Sequence, residues 1–133
     1  MSTEQEFEVT LREITEDTLW SILDLEVTDE QKKYVASNAT SIAEAHFSDY
    51  AWFRAIYAGE QPVGFVLLFI DEEENEYDLW RMMIDKNHQG NGFGGQALQN
   101  IIEYVSNFQG AEELTLSYLP GDGEPGPFFE KFG

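Results

Sequence analysis

The sequence predicts an α/β protein built on one mixed sheet, with antiparallel hairpins first and a single parallel crossover later. Three observations carry this. Two apolar runs, 53–57 and 63–70, flank the turn-forming Gly59-Glu60-Gln61-Pro62 and read as a hairpin. A third apolar run, 76–84, leads into the glycine-dense Gln89-Gly90-Asn91-Gly92-Phe93-Gly94-Gly95. Behind the glycines the period becomes helical through Phe93, Ala97, Leu98, Ile101, Ile102 and Val105, and a further strand pattern follows at 113–119. Strand, helix and strand in that order make a right-handed crossover between parallel neighbours.

The remaining elements follow in chain order. Residues 7–14 alternate through Phe7, Val9 and Leu11 as a first strand. Thr15 is the expected N-cap of a helix carrying Leu19, Ile22, Leu23 and Glu26 on one side, with Thr18 three residues after the cap. Thr28 or Asp29 is expected to open a second helical stretch through Tyr34 and Val35, and Ser41 a third with Ile42, Ala45 and His46. Asp71-Glu72-Glu73-Glu74 reads as a solvated turn between strands. Residues 120–127 read as a rigid turn, and 128–132 as a short helix.

Composition bounds the function. The 133 residues suit one domain, and 42% apolar with 14% aromatic residues is the make-up of a folded chain. There is no cysteine, hence no disulfide and no thiolate chemistry, and His46 with His88 is too little imidazole for a structural zinc site; no metal is expected. No signal segment is visible at Met1-Ser2-Thr3-Glu4-Gln5-Glu6, and the longest apolar run is too short for a bilayer, so a cytoplasmic protein is expected. With 26 acidic against 7 basic side chains the formal charge is −19. Such a surface repels nucleic acid and anionic lipid. It suits either a saline, halophilic cytoplasm or attraction of a cationic substrate; the scatter of acids over the whole chain favours the first.

The glycine run carries the chemistry. Glycines allow tight turns that present consecutive N–H groups, and the helix behind adds the positive end of its dipole, so an anion such as pyrophosphate is the expected ligand. Gly90, Gly92 and Gly95 also match G-x-G-x-x-G, but at least three strands precede them and no βαβ series follows, against a dinucleotide fold. A P-loop is excluded because no Lys-Ser/Thr pair follows. In the preceding strand, strict alternation puts Glu76, Asp78, Trp80, Met82 and Ile84 on one face and Tyr77, Leu79, Arg81 and Met83 on the other.

Gln89-Gly90-Asn91-Gly92-Phe93-Gly94 resembles the Gln/Arg-Gly-x-Gly-x-Gly acyl-CoA signature of the GCN5-related N-acetyltransferase (GNAT) superfamily. Phe128-Phe129-Glu130-Lys131-Phe132-Gly133 resembles that family's C-terminal Tyr-x-Lys-x-Gly-Phe segment. Stretches 30–38, 52–57 and 116–121 are similar to the spermine/spermidine (diamine) branch. The resemblance implies a GNAT fold over a single domain, 1–133, and acetyl-CoA as co-substrate. It assigns the pyrophosphate to the N–H groups of Gln89, Gly90, Asn91, Gly92, Phe93 and Gly94, and the pantetheine arm to the backbone of Met82, Met83 and Ile84. Phe129 falls on the cofactor side, where the family often has a tyrosine acid; either another hydroxyl such as Tyr118 or Ser117 serves instead, or the thiolate leaves without side-chain help. The family continues past the position of Gly133, so the final C-terminal strands are expected to be missing here.

The implied reaction is direct attack of a primary amine on the acetyl thioester. An alkyl ammonium must first lose a proton, which makes Asp78 and Glu76 the candidate bases or relays. The oxyanion is assigned to a backbone N–H near Met82 or Met83. Glu26 and Glu30, spaced i,i+4, are candidate clamps for a cationic acceptor such as spermidine; with Asn38 they lie where the family forms its acceptor site. Trp52 and Trp80 are candidate walls through cation–π contact, and Arg81 demands an anionic partner. Amino-acid or protein N-terminal acetylation and a weakly catalytic acyl-CoA-binding module are the alternatives, and pairing of sheets into a homodimer is in keeping with the family.

Overall fold

The computed structural model describes residues 8–33, 36–108, 113–116 and 130–131. In chain order the elements are β1 (Val9–Arg12), α1 (Leu19–Leu23), a 3₁₀ turn (Gln31–Lys33), α2 (Asn38–His46), β2 (Ala51–Ala58) and β3 (Gln61–Asp71). There follow β4 (Glu76–Ile84), a second 3₁₀ turn (Lys86–His88), α3 (Phe93–Ser106), β5 (Glu113–Leu116) and β6 (Glu130–Lys131). The strands form one sheet in chain order. Strands β1 to β4 are antiparallel neighbours. β4 and β5 run parallel, with Asp78 opposite Thr115 and Leu79 opposite Leu116, as the crossover pattern requires.

Helices cover both faces. α3 buries Ala97, Leu98, Ile101 and Val105 against Ile56, Val66, Leu68, Tyr77 and Leu79. Burial of each of the larger aliphatic side chains, Leu98, Ile101 and Val105, is worth about 1.5–3 kcal/mol relative to exposure. On the other face, Ile22 of α1 and Ala45 of α2 pack with Ala55, Tyr57, Phe65, Leu67 and Met83. β3 is therefore covered on both sides, which is why 63–70 reads as a nearly continuous apolar run. β3 and β4 approach so closely at Gly64 that a Cβ there would lie 2.3 Å from the carbonyl oxygen of Met83. Only glycine fits that contact.

The hairpin, β4 and α3 form where the periodicity puts them, and other expectations are corrected. The cap of α1 is Thr18, not Thr15; Thr15 N–H donates to the Thr18 hydroxyl at 2.9 Å, forming a turn ahead of the helix. The helical stretch after Thr28 is one 3₁₀ turn, Gln31–Lys33, with the Thr28 hydroxyl accepting from Gln31 N–H at 3.2 Å; Tyr34 and Val35 lie outside the described residues. α2 opens at Asn38 rather than Ser41, because Ser37 caps it by accepting from Thr40 N–H at 3.1 Å. The acidic turn is solvated except at Asp71, which is buried and accepts from the N–H groups of Glu73 and Glu74 at 3.2 Å. The helix expected over 128–132 is absent at Glu130–Lys131, which pairs as β6 with Glu113 and Leu114. Residues 117–129 lie outside the described residues, with the expected turn at 120–127.

Strict alternation along β4 also fails. Leu67 of β3 faces Arg81, but its neighbour Leu68 faces Leu79, so Trp80 is an extra, bulged residue. A bulge swaps the faces beyond it. Tyr77 and Leu79 face α3, and so do Met82 and Ile84. Trp80 and Met83 face α1 and α2, and Arg81 reaches Ser41 and Glu44 of α2. Asp78, alternating with Tyr77 and Leu79, lies on the α1 and α2 face.

Candidate active site

The glycine run forms the start of α3 in a conformation that only its composition permits. Gly90 and Gly92 have φ of 86° and 82°, in the left-handed region that favours glycine. Gly92 is the N-cap of α3 and gives the helix no side-chain hydrogen bond. The first-turn N–H groups are thus without a side-chain cap, at the positive end of a 14-residue helix. A Cβ built on Gly90, Gly92 or Gly95 would meet nothing within 4 Å, while one on Gly94 would touch Ile84 at 3.6 Å. The loop therefore has open space over Gly90, Gly92 and Gly95 and ordinary side-chain contact only at Gly94. That arrangement fits a pyrophosphate.

Around it, side chains brace the loop. Gln89 Nε2 donates to the Ile84 carbonyl at 2.8 Å and to Gln31 Oε1 at 2.9 Å. Asn91 Nδ2 donates to the His88 carbonyl at 3.1 Å. Phe93 packs against the α3 core, as does Ile84. Met82 lies on that face too, while Met83 belongs to the opposite one. The three strand residues assigned to the pantetheine arm thus alternate across the sheet just before the loop.

On the α1 and α2 side a cleft of about 250 Å³ opens beside Met83. Its walls are Leu25, Glu26 and Val27 after α1, Lys32, and Ala36, Ser37 and Asn38 at the start of α2. Asn38 is buried; its Nδ2 donates to the Ile22 carbonyl at 2.9 Å, with Met83 Sδ at 3.7 Å. The Glu26 carboxylate is held between Lys32 Nζ at 2.8 Å and Lys86 Nζ at 3.0 Å. Hydrogen bonds from Lys32 and then Lys86 lower its pKa from the ordinary 4.5 to about 2. Residues 26–30 form loop rather than helix, so the i,i+4 pairing of Glu26 with Glu30 on one helical face does not exist.

The other candidates divide between the faces. Asp78 is half-buried on the cleft side of the sheet, and burial, then the nearby Glu76, raise its pKa above the ordinary 3.8. Glu76 is exposed at the start of the strand. Met83 lies five positions along the strand from Asp78, roughly 16 Å at 3.3 Å per residue. The bulged Trp80 lies between them and packs with the α1 and α2 core. Trp52 is on the opposite face, stacked on Tyr104 at 4.6 Å and under the Arg54 guanidinium at 4.4 Å, away from the cleft. Tyr118 and Phe129 lie outside the described residues.

Sequence reasoning passed over Asp85, Lys32 and Lys86. Asp85 is buried, and its carboxylate accepts from Glu26 N–H at 2.9 Å and from Asn87 N–H at 3.2 Å. The one signal in the sequence was an acid placed directly after an apolar strand. Among the described residues no three His, Cys, Asp or Glu side chains are grouped as metal ligands, and no helix is long and apolar enough to cross a membrane.

Residues 13–133 match the model of the Acetyltransferase (GNAT) family. The chain is 25% identical over 131 residues to a probable spermine N(1)-acetyltransferase of Bacillus subtilis subsp. natto, covering 94% of this chain and 86% of that protein. Among solved structures, a chimera of the Vibrio cholerae spermidine N-acetyltransferase SpeG is similar with a TM-score of 0.62 and 18% identity, over 82% of this chain and 69% of the other. An acetyltransferase of Salmonella typhimurium that modifies the N-terminal serine of a ribosomal protein has a TM-score of 0.62 and 16% identity, over 92% of this chain and 75% of the other.

Proposed function

Because the chain belongs to the GNAT acetyltransferase family, and is an acetyl-CoA-dependent N-acetyltransferase, we propose that its acceptor is a small cationic amine of the polyamine class. The observation that carries this reading is the alignment with a probable spermine acetyltransferase along nearly the whole chain. The fold does not choose the acceptor, since the similar solved structures include enzymes named for spermidine and for a protein N-terminus. Charge supports the choice: at −19 the surface attracts a polycation and repels an anionic acceptor. It also fits a cytoplasmic protein with no nucleic-acid or membrane partner.

Acetyl-CoA supplies an activated acyl group, and the chain's own residues hold and deprotonate the amine. Gly90, Gly92 and the first turn of α3 offer the anion site for the pyrophosphate. The acceptor enters through the cleft beside Met83, where the Glu26 carboxylate lines one wall. An ammonium there competes with Lys32 and Lys86 for Glu26. Asp78 is the proposed end of a water relay that takes the proton, since it lies roughly 16 Å along the strand from Met83; its raised pKa brings it closer to the working pH than an exposed carboxylate. Trp80, bulged between Asp78 and Met83, walls the path. Tyr118 remains the hydroxyl proposed to protonate the departing thiolate.

The test is thiol release from acetyl-CoA with spermidine in molar KCl, with the product mass recorded. Acetylated spermidine formed above the rate without amine is the expected result. Thiol release only with an amino acid or a peptide N-terminus would overturn the polyamine reading. CoA binding without turnover on any amine would leave a binding module.

A further inference from the structure

We propose that Asp85 is a positioning residue that ties the acceptor-side segment to the cofactor loop, so that occupation of one orders the other. Glu26 lines the cleft and Asp85 opens the loop that leads to Gly90, yet the two are joined by a two-rung ladder across 59 positions of sequence. Asp85 Oδ1 accepts from Glu26 N–H at 2.9 Å, and the Glu26 carbonyl accepts from Lys86 N–H at 2.8 Å. A third link joins the same segments further along, Gln89 Nε2 to Gln31 Oε1 at 2.9 Å.

The other oxygen of Asp85 faces the loop. Oδ2 accepts from Asn87 N–H at 3.2 Å and from His88 Nδ1 at 3.1 Å, which requires the proton on Nδ1. The main chain of Asp85 is fastened as well: its N–H donates to the Val63 carbonyl, and its carbonyl accepts from His88 N–H, both at 2.8 Å. The side chain is buried, so these donors have no ready replacement in water. Three donors converge on one group, and only a carboxylate accepts them all. An asparagine of the same shape would set its NH₂ against one of them.

This inference rests on the cleft being the acceptor side, but its test needs no acceptor. Hydrogen exchange is followed by mass spectrometry on the full chain with and without CoA. In the wild type, CoA is expected to slow exchange in peptides covering both 85–95 and 24–33. In Asp85→Asn the slowing is expected to persist in 85–95 and disappear from 24–33, while the KM for acetyl-CoA rises about 5-fold to 10-fold with less than about a 2-fold change in kcat, the split of an effect on binding rather than on chemistry. Glu26→Gln, which keeps the N–H and carbonyl of residue 26 that form the two rungs, is expected to retain the coupled slowing.

Unchanged exchange of 24–33 on CoA binding to the wild type, or equal slowing in Asp85→Asn, would overturn the proposal. The wild-type comparison decides by itself if Asp85→Asn does not fold. Coupled slowing in a protein that leaves every polyamine unacetylated would overturn the acceptor reading and leave this one standing.

Discussion

Asp78 and Glu26 are carboxylates on the same side of the sheet, and their surroundings drive them in opposite directions. Burial and the neighbouring Glu76 favour the neutral form of Asp78, raising its pKa. Lys32 and Lys86 favour the charged form of Glu26, lowering its pKa to about 2. One is thus fit to exchange a proton and the other to stay ionised. Asp78→Asn is expected to lower kcat/KM about 100-fold, the lower range for loss of a general base. It should also remove the acidic limb of the pH–rate profile, which in the wild type falls as pH drops through a value above the ordinary 3.8. Retention of the limb in the variant would assign the base elsewhere. For Glu26 the linkage concerns stability. Its folded pKa is depressed, so its contribution is present above the ordinary 4.5 and is lost as pH falls from there towards 2. The Tm difference between wild type and Glu26→Gln should therefore be small near neutrality, since the pair is exposed, and shrink to nothing across that window.

At the scale of elements, the decisive features are the bulge in β4 and the capping of α3. The bulge at Trp80 turns Met83 towards the cleft while Met82 and Ile84 stay under α3. One inserted residue thus gives both sides of the strand a part in the site. At α3, Gly92 holds a left-handed conformation at the point where the N–H groups face outward. An L side chain there is strained by about 1–2 kcal/mol and projects into the space over the loop. Gly92→Ala is expected to raise the KM for acetyl-CoA about 10-fold, with circular dichroism unchanged. Isothermal titration with CoA checks it, and wild-type affinity in the variant would move the anion site away from α3.

The whole molecule carries −19 on 133 residues, and that charge opposes its own compaction. The ion pairs at Glu26, Glu44 and Glu60 use few of the acids, because the cations are few. Screening should therefore stabilise the protein more than ordinary. Raising KCl from roughly 0.1 M, where the Debye length is about 10 Å, to about 1 M, where it is about 3 Å, is expected to raise Tm by several degrees. A scan in KCl against sucrose at matched osmolality separates screening from general solute effects. A flat response to KCl would remove self-repulsion as the reason for the composition and leave substrate attraction.

The sequence by itself determined the hairpin, the parallel crossover and the glycine turn ahead of α3. These depend on local matters: an almost unbroken apolar run at 63–70, helical period behind Phe93, and glycines where φ must be positive. The short elements before β2 were placed less well, since capping there is decided by which of several threonines and serines accepts a hydrogen bond. Only the tertiary structure decided which residues meet. The bulge that separates Met82 from Asp78 leaves no mark on alternation, and Trp52 falls on the far face because its strand is fixed by partners distant in sequence. The joining of Glu26 to Asp85 and the two lysines is likewise a matter of chain segments brought together by the sheet. Periodicity reports how a residue faces its own element, whereas a site is made by the approach of elements, and that approach is set by packing across the whole core.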